Sequence, residues 1–296
     1  MKHRDPLHKL TLFDVLNVIF LGLVALVTVF PIWNVLMISL NEPSDTNLGG
    51  LYFWFRKFTL QNFAYFFMED DWLRAMFMSV ARTVLGAVSC VLFTAAFSYG
   101  VSKKYLIGHK YIIGYLLLTM YISGGMIPMF LLIKNIGLYK SFLVYIIPEL
   151  MSNYYAIIMI TYFRTIPAEL EESVKIDGGN DLTIFARIIL PVSKPIIFAV
   201  GLFVAVYQWN AWFDTILYGS KEIMTLQAKL VEILRDAAAQ QKLLSSGAKT
   251  ASLAIRPTLE SIKATAMVIT IVPMLALYPF LQKYFVKGIM VGSLKG

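Results

Sequence analysis

Six stretches of this chain stay mostly apolar over about twenty residues or more, at roughly 12–39, 76–100, 111–133, 142–163, 188–212 and 264–284. About 20 mostly apolar residues is the length at which an α-helix crosses the ~30 Å hydrocarbon layer of a bilayer. Six such stretches take up about half of the 296 residues. The reading is an all-α membrane protein with six transmembrane helices. Composition agrees: the chain is 58% hydrophobic and 15% charged, with a mean hydropathy of +0.68. Soluble domains carry about 45–50% apolar and about 25% charged residues, and this surplus of apolar surface cannot be hidden in one soluble core. The first stretch contains Pro31, a candidate kink.

The net charge is +8 and the sequence pI about 9.4, but the basic residues are scattered between apolar stretches. No basic stripe with interleaved aromatics is present, so nucleic acid is not an expected partner. The single cysteine, Cys90, falls inside an apolar stretch and reads as a packed thiol. The N-terminus is basic and then apolar like a signal peptide, but the apolar run continues past Pro31 to about Leu40 with no small-x-small site after it. It reads as a retained first span.

Two connections are long. Residues 41–72 are polar and then aromatic, which suits a helix lying at the lipid–water boundary. Residues 213–262 include LQAKLVEILRDAAAQQKLL, an amphipathic helix pattern, then a Ser/Gly turn, then Pro257 at the expected start of the sixth span. The expected organisation is 1–72, the first helix with an external interfacial segment, and 73–296, a core of five helices. Six crossings put both termini on one side. Counting Lys and Arg supports a cytoplasmic location for 1–10, 101–110, 164–190 and the C-terminal tail only once the long 213–262 loop is discounted, so charge alone does not orient the chain.

Between the fourth and fifth stretches lies ELEESVKIDGGNDLTIFARIILPVSKP (169–195). Pro167 fits a first helical turn, and Glu169, Glu171 and Glu172 suit the positive end of a helix dipole. Leu170 and Val174, four apart, share a face. Gly178-Gly179 ends this helix, because glycine adopts the left-handed conformation that such an end commonly needs. Asn180 or Asp181 caps the next, and Pro191 and Pro195 mark the entry into the fifth span.

The spacing Glu172-Ser173-Val174, three residues, Gly178, nine residues, Ile188, one residue, Leu190-Pro191 resembles the "EAA" loop of permease subunits of binding-protein-dependent ABC importers. Ser173 and Val174 stand where that family prefers alanine. The tail FLQKYFVKGIMVGSLKG resembles the carbohydrate-uptake, maltose-type branch. GGMIPMFLLIKNIGLYKSFLVYIIP and IPAELEESVKIDGGN look closest to permeases for complex oligosaccharides such as aldouronates. The resemblance covers about residues 70–296 and, more loosely, the first helix. It implies a cytoplasmic coupling-helix loop at 164–190 whose first helix docks in a cleft of an ATPase subunit. The ATPase-coupling residues would be Glu169, Leu170, Glu171, Glu172, Ser173, Val174, Asp177, Gly178 and Pro191. It further implies that Gly292, Ser293, Lys295 and Gly296, in the 285–296 tail, reach between the ATPase subunits. The implied partners are a second homologous permease subunit, an ATPase dimer, an extracytoplasmic solute-binding protein, an oligosaccharide substrate and the lipid of a bacterial cytoplasmic membrane, with both termini cytoplasmic.

No G-x-x-x-x-G-K-[ST], H-E-x-x-H or G-x-S-x-G sequence occurs, and His3, His8 and His109 are far apart. No catalytic residue, metal site or cofactor is therefore expected in this chain, and Mg-ATP belongs to the partner ATPase. Polar groups inside spans are costly and often functional; here they are Arg82, Glu149, Asn153, Gln208 and Asn210. Arg82 is expected to snorkel or to pair with a carboxylate. YQWNAWFD (207–214) mixes aromatic faces with amides, which suits sugar rings, although an interfacial aromatic belt has the same composition. The substrate-pathway candidates are Asn153, Tyr154, Gln208, Trp209, Asn210 and Trp212. An ion-gradient-driven secondary transporter would call for paired intramembrane carboxylates, and a membrane enzyme or receptor for a chemical constellation or signalling domain. Neither pattern is visible.

Overall fold

The computed structural model describes residues 11–68, 70–103, 105–245, 258 and 260–276. The helices, in chain order, are α1 (Leu12–Ser39), α2 (Pro43–Thr46), α3 (Gln61–Met68), α4 (Asp70–Ser102), α5 (His109–Tyr121), α6 (Met126–Asn135), α7 (Asn153–Phe163), α8 (Glu169–Ile176), α9 (Asp181–Ile184), α10 (Leu190–Val192), α11 (Lys194–Asn210), α12 (Phe213–Tyr218) and α13 (Leu226–Ser245), followed by α14 (residues 260–276). A 3-10 turn covers Phe142–Tyr145 and a π turn covers Phe185–Ile189. Among the described residues the only β-type pairing is an isolated bridge between Asn41 and Phe58.

The described residues are all-helical as expected, but not as six straight rods. Among the described residues only α1 and α4 are individually long and apolar enough to cross a membrane, and two further pairs qualify only as bent pairs. The expected third span, 111–133, breaks into α5 and α6, which meet at 115°. Ile122 is extended and Gly125 sits at φ 89°, so the Gly124-Gly125 pair ends one helix and starts another. The expected fourth span, 142–163, is α-helical only from Asn153, and its 11 residues reach about 16 Å. The expected fifth span, 188–212, begins inside the π turn and bends by 81° at Ser193. Pro191 and Pro195 flank that bend, and neither has an N–H to donate to the helical ladder. The first span matches the reading and runs unbroken through Pro31. The sixth is helical over 260–276; its last part, and Pro257, lie outside the described residues.

The chain divides into two compact units. In the first, Met1–Met68 with Ala237–Ile269, α1 starts with a capping box between Thr11 and Asp14 and leaves its apolar surface exposed. Its C-terminal end is tied into a polar knot around the fully buried Asn41. The Asn41 amide donates to Asp45 Oδ2 (2.9 Å) and accepts from the backbone of Arg56 (2.9 Å) and Lys57 (3.0 Å). Arg56 Nε meets Asp45 Oδ2 at 2.7 Å. The aromatic run 51–58 is therefore not helical, and the aromatic helix of the 41–72 segment is α3, with Phe63, Tyr65, Phe66 and Phe67. Gly49 and Gly50, both at positive φ, turn the 51–58 run back, and α1 captures it: Trp33 Nε1 donates to Phe53 O (2.7 Å) and Asn34 Nδ2 to Leu51 O (2.6 Å).

In the second unit, Glu69–Asp236 with Thr270–Gly296, α4 packs on α11 and α7. Gly86, Cys90, Thr94 and Ser98 recur every four residues along α4 and so share a face. Such small residues let helix backbones approach closely; Ser98 Oγ donates to Ala156 O of α7 (3.1 Å). Cys90 is buried, as its position implied. The core combines Val91, Ala95 and Tyr99 of α4 with Met159 and Phe163 of α7, Ile184 and Ile189, and Val200 and Val204 of α11.

Candidate functional site

The 164–190 segment forms two short helices joined by a glycine elbow. Pro167 stands one residue before the N-cap, Ala168, and Glu169, Glu171 and Glu172 occupy the first turn of α8. Gly178 is at φ +80°. Its N–H donates to Lys175 O (3.0 Å), and that of Gly179 donates back to Val174 O (2.8 Å). These are the paired bonds of a Schellman C-cap. Asn180 then caps α9, its Oδ1 accepting from Thr183 N at 2.8 Å.

This elbow is rooted in the helical core. Val174 and Ile166 pack against the cluster that contains Tyr99, Phe163 and Ile184, and the Phe185 ring lies 5.4 Å from that of Tyr99. Lys103, just past α4, is ion-paired with Glu171 and sits 4.1 Å over the Tyr99 ring. Arg164 Nε reaches Ser102 O at 3.4 Å. Leu170 and Val174 consequently differ: Val174 is turned into the chain's own core, whereas Leu170 is 39% exposed. Ile176 and Leu182 are the more exposed apolar side chains of the loop. Glu169, Glu172 and Ser173 are exposed, Asp177 is the C-cap of α8, and Pro191 lies exposed in α10. The sequence signal for Lys103 was its place at the end of an apolar span; nothing local named Glu171 as its partner. Gly292, Ser293, Lys295 and Gly296 lie outside the described residues.

At the other end of α11 the sequence candidates separate. Arg82 is fully buried. Its Nη1 and Nη2 meet the Asp214 carboxylate at 3.0 and 2.5 Å, and its Nε meets Gln208 Oε1 at 2.8 Å. The guanidinium lies 4.5 Å over the Tyr145 ring. Arg82 thus pairs with a carboxylate, one of the two expected outcomes, and Gln208 is spent on it: its Nε2 donates to Tyr145 O (3.3 Å), leaving the side chain 1% exposed. Gly86 makes room, since a Cβ there would stand 2.8 Å from Gln208 Nε2. Trp209 is also buried, its Nε1 donating to Thr270 O (3.1 Å). Gln208 and Trp209 are therefore buried in the chain's own packing. The Trp212 ring has the Arg235 guanidinium 6.0 Å away. Asn153 donates to Thr119 Oγ1 (2.8 Å). Tyr154 and Asn210 are exposed. Among the described residues no group of three or more His, Cys, Asp or Glu is placed to hold a metal ion.

No family model matches the chain. It is 35% identical over 287 residues to Protein LplC of Bacillus subtilis (strain 168), covering 96% of this chain and 95% of that protein. It is 35% identical over 292 residues to the polygalacturonan/rhamnogalacturonan transport system permease protein YtcP of the same strain, covering 97% and 100% respectively. The fold is similar to a crystal structure of a bacterial ABC transporter involved in the import of the acidic polysaccharide alginate, with a TM-score of 0.82 and 25% identity over 92% of this chain and 96% of that one.

Proposed function

The chain belongs to the permease subunits of ABC importers for sugars and oligosaccharides, and from that premise we propose that it forms one half of an oligosaccharide pathway and is moved by a partner ATPase gripping its 164–190 loop. It is an integral membrane protein. The six apolar stretches are its crossings, with both ends in the cytoplasm. Residues 1–72 are the first transmembrane helix and an external interfacial segment, and residues 73–296 are the permease core of five transmembrane helices. A second permease subunit, an ATPase dimer that binds Mg-ATP and an extracytoplasmic solute-binding protein complete the machine. The substrate class is an oligosaccharide, chains with uronic acids included, as the names of two similar proteins suggest for those proteins.

The observation that carries this reading is the elbow itself. A helix with a charged first turn, an exposed Leu170 and a φ +80° glycine is pinned to α4 and α7 by an ion pair and a shared core. A neighbour that pulls on Leu170, Ile176 and Leu182 would move the packed helices with it, because close-packed cores transmit displacement. The tail residues Gly292, Ser293, Lys295 and Gly296 are proposed as a second ATPase contact. The test is reconstitution with the partner subunits. Leu170→Asp should leave insertion intact but abolish ATP-driven uptake or ATPase retention, and normal uptake by that variant would refute the coupling role.

A further inference from the structure

One mixed surface is left unassigned by the coupling role. Phe203, Tyr207 and Asn210 share a face of α11 by their four- and three-residue spacing. The Tyr155 ring of α7 stacks on Phe203 with centroids 6.3 Å apart and planes 11° from parallel, and Tyr154 meets Tyr155 edge-on at 5.4 Å. Tyr154, Tyr207 and Phe203 are each about half exposed, at 56, 52 and 47%. The Tyr207 hydroxyl donates to Glu149 Oε1 at 3.2 Å.

An interfacial belt tyrosine turns its hydroxyl to water and headgroups. Here the hydroxyl is spent on a carboxylate of the same chain. A carboxylate on a lipid-facing surface is costly, and among the described residues none of the ion pairs involves Glu149. Arg82, of the same unit, is taken by Asp214 and Gln208. Glu149 Oε2 accepts no hydrogen bond from the described residues. Flat rings beside a carboxylate acceptor and an exposed amide make a surface that suits the C–H faces and hydroxyls of a sugar.

We propose that Glu149, held by Tyr207 and flanked by Tyr154, Phe203 and Asn210, is a specificity-determining residue of a saccharide-contacting surface and selects a neutral, hydroxyl-bearing ring over a uronate at this point of the path. The proposal rests on the oligosaccharide-import reading above. A sugar hydroxyl donates to Glu149 Oε2, whereas a uronate there meets a like charge, because the N–H groups of the nearby Arg82 are bonded to Asp214 and Gln208 rather than to Glu149. Discrimination by an unpaired like charge is a direct route to specificity.

The experiment uses the full complex in liposomes with its binding protein, fed an oligogalacturonide or its fully methyl-esterified form. The readout is the ratio of acid to ester uptake in each variant relative to the unmutated complex, so that selection by the binding protein cancels. Glu149→Gln should raise that ratio by at least about fivefold, through the KM for the acid rather than turnover. Glu149→Asp, which keeps the charge, should leave it within about twofold. An unchanged ratio for Glu149→Gln in a complex that transports both substrates overturns the proposal alone. An unmutated complex that hydrolyses ATP yet transports neither overturns the import reading and the proposal with it.

Discussion

Lys103, one residue past the end of α4, is ion-paired with Glu171 on α8, and the two side chains are only 14% and 17% exposed. The pair joins the longest helix of the described chain to the segment proposed to meet the ATPase. Partial burial leaves the pair less screened by salt than a surface ion pair, and removing one partner leaves the other charge shielded and unmatched. Glu171→Gln or Lys103→Ala should cost about 1–3 kcal/mol in the thermal stability of the purified complex. Either should lower transport per ATP hydrolysed, and the charge swap Lys103→Glu with Glu171→Lys should restore part of it. Unchanged coupling in both single variants would remove the pair from the transmission path.

The buried clasp at the far end of α11 makes a second prediction. Arg82 is fully buried and Asp214 about a quarter exposed. Asp214→Ala strands a desolvated guanidinium and should destabilise the protein by about 3–5 kcal/mol. Replacing Arg82 and Asp214 together by apolar residues should cost less than the sum of the two single changes. Thermal unfolding of the four proteins in detergent measures the coupling, and strict additivity would mean that the 2.5 and 3.0 Å contacts carry no mutual stabilisation.

How much of this was legible depends on the range of each signal. The Gly178 elbow, the Asn180 cap and the α13 helix were readable because each is set by residues within a few positions of one another. The Gly124-Gly125 break was also local, but a span judged by length and apolarity runs across it. The bend at Ser193 has the same origin, with Pro191 and Pro195 treated as markers of entry rather than as a hinge. Arg82 with Asp214, 132 residues apart, and Lys103 with Glu171, 68 apart, carry no pairing information in the sequence around either partner. Gln208 looked like a pathway amide for that reason: its true partner is only evident once α4 lies against α11.

The glycine elbow gives a graded prediction. A Cβ at Gly178 would meet nothing within 4 Å, so only the φ of +80° resists substitution. Gly178→Ala should cost roughly 1–2 kcal/mol and Gly178→Asn less, since Asn tolerates the left-handed region. Gly178→Pro should be worst, because it fixes φ near −65° and removes the N–H that bonds Lys175 O. Limited proteolysis in the 164–190 loop, read against insertion levels, would rank the three. Equal behaviour of Ala and Pro would show that the left-handed cap is not what holds the elbow.

The knot at the end of α1 should respond to acid. The amide of Asn41 and then the guanidinium of Arg56 hold the Asp45 carboxyl below its ordinary value of 3.8. A depressed folded-state pKa stabilises the folded form above the unfolded value, and that stabilisation is lost as pH falls through the folded value. The 41–58 segment should therefore stay tied to α1 from neutral pH down to about pH 4 and loosen below it. In Asp45→Asn the segment should already be loose at pH 7, and its acid dependence should flatten. Fluorescence of Trp54, whose ring lies 5.9 Å from that of Trp33, reports the change. An acid transition at the same pH in the Asn variant would assign it to a group other than Asp45.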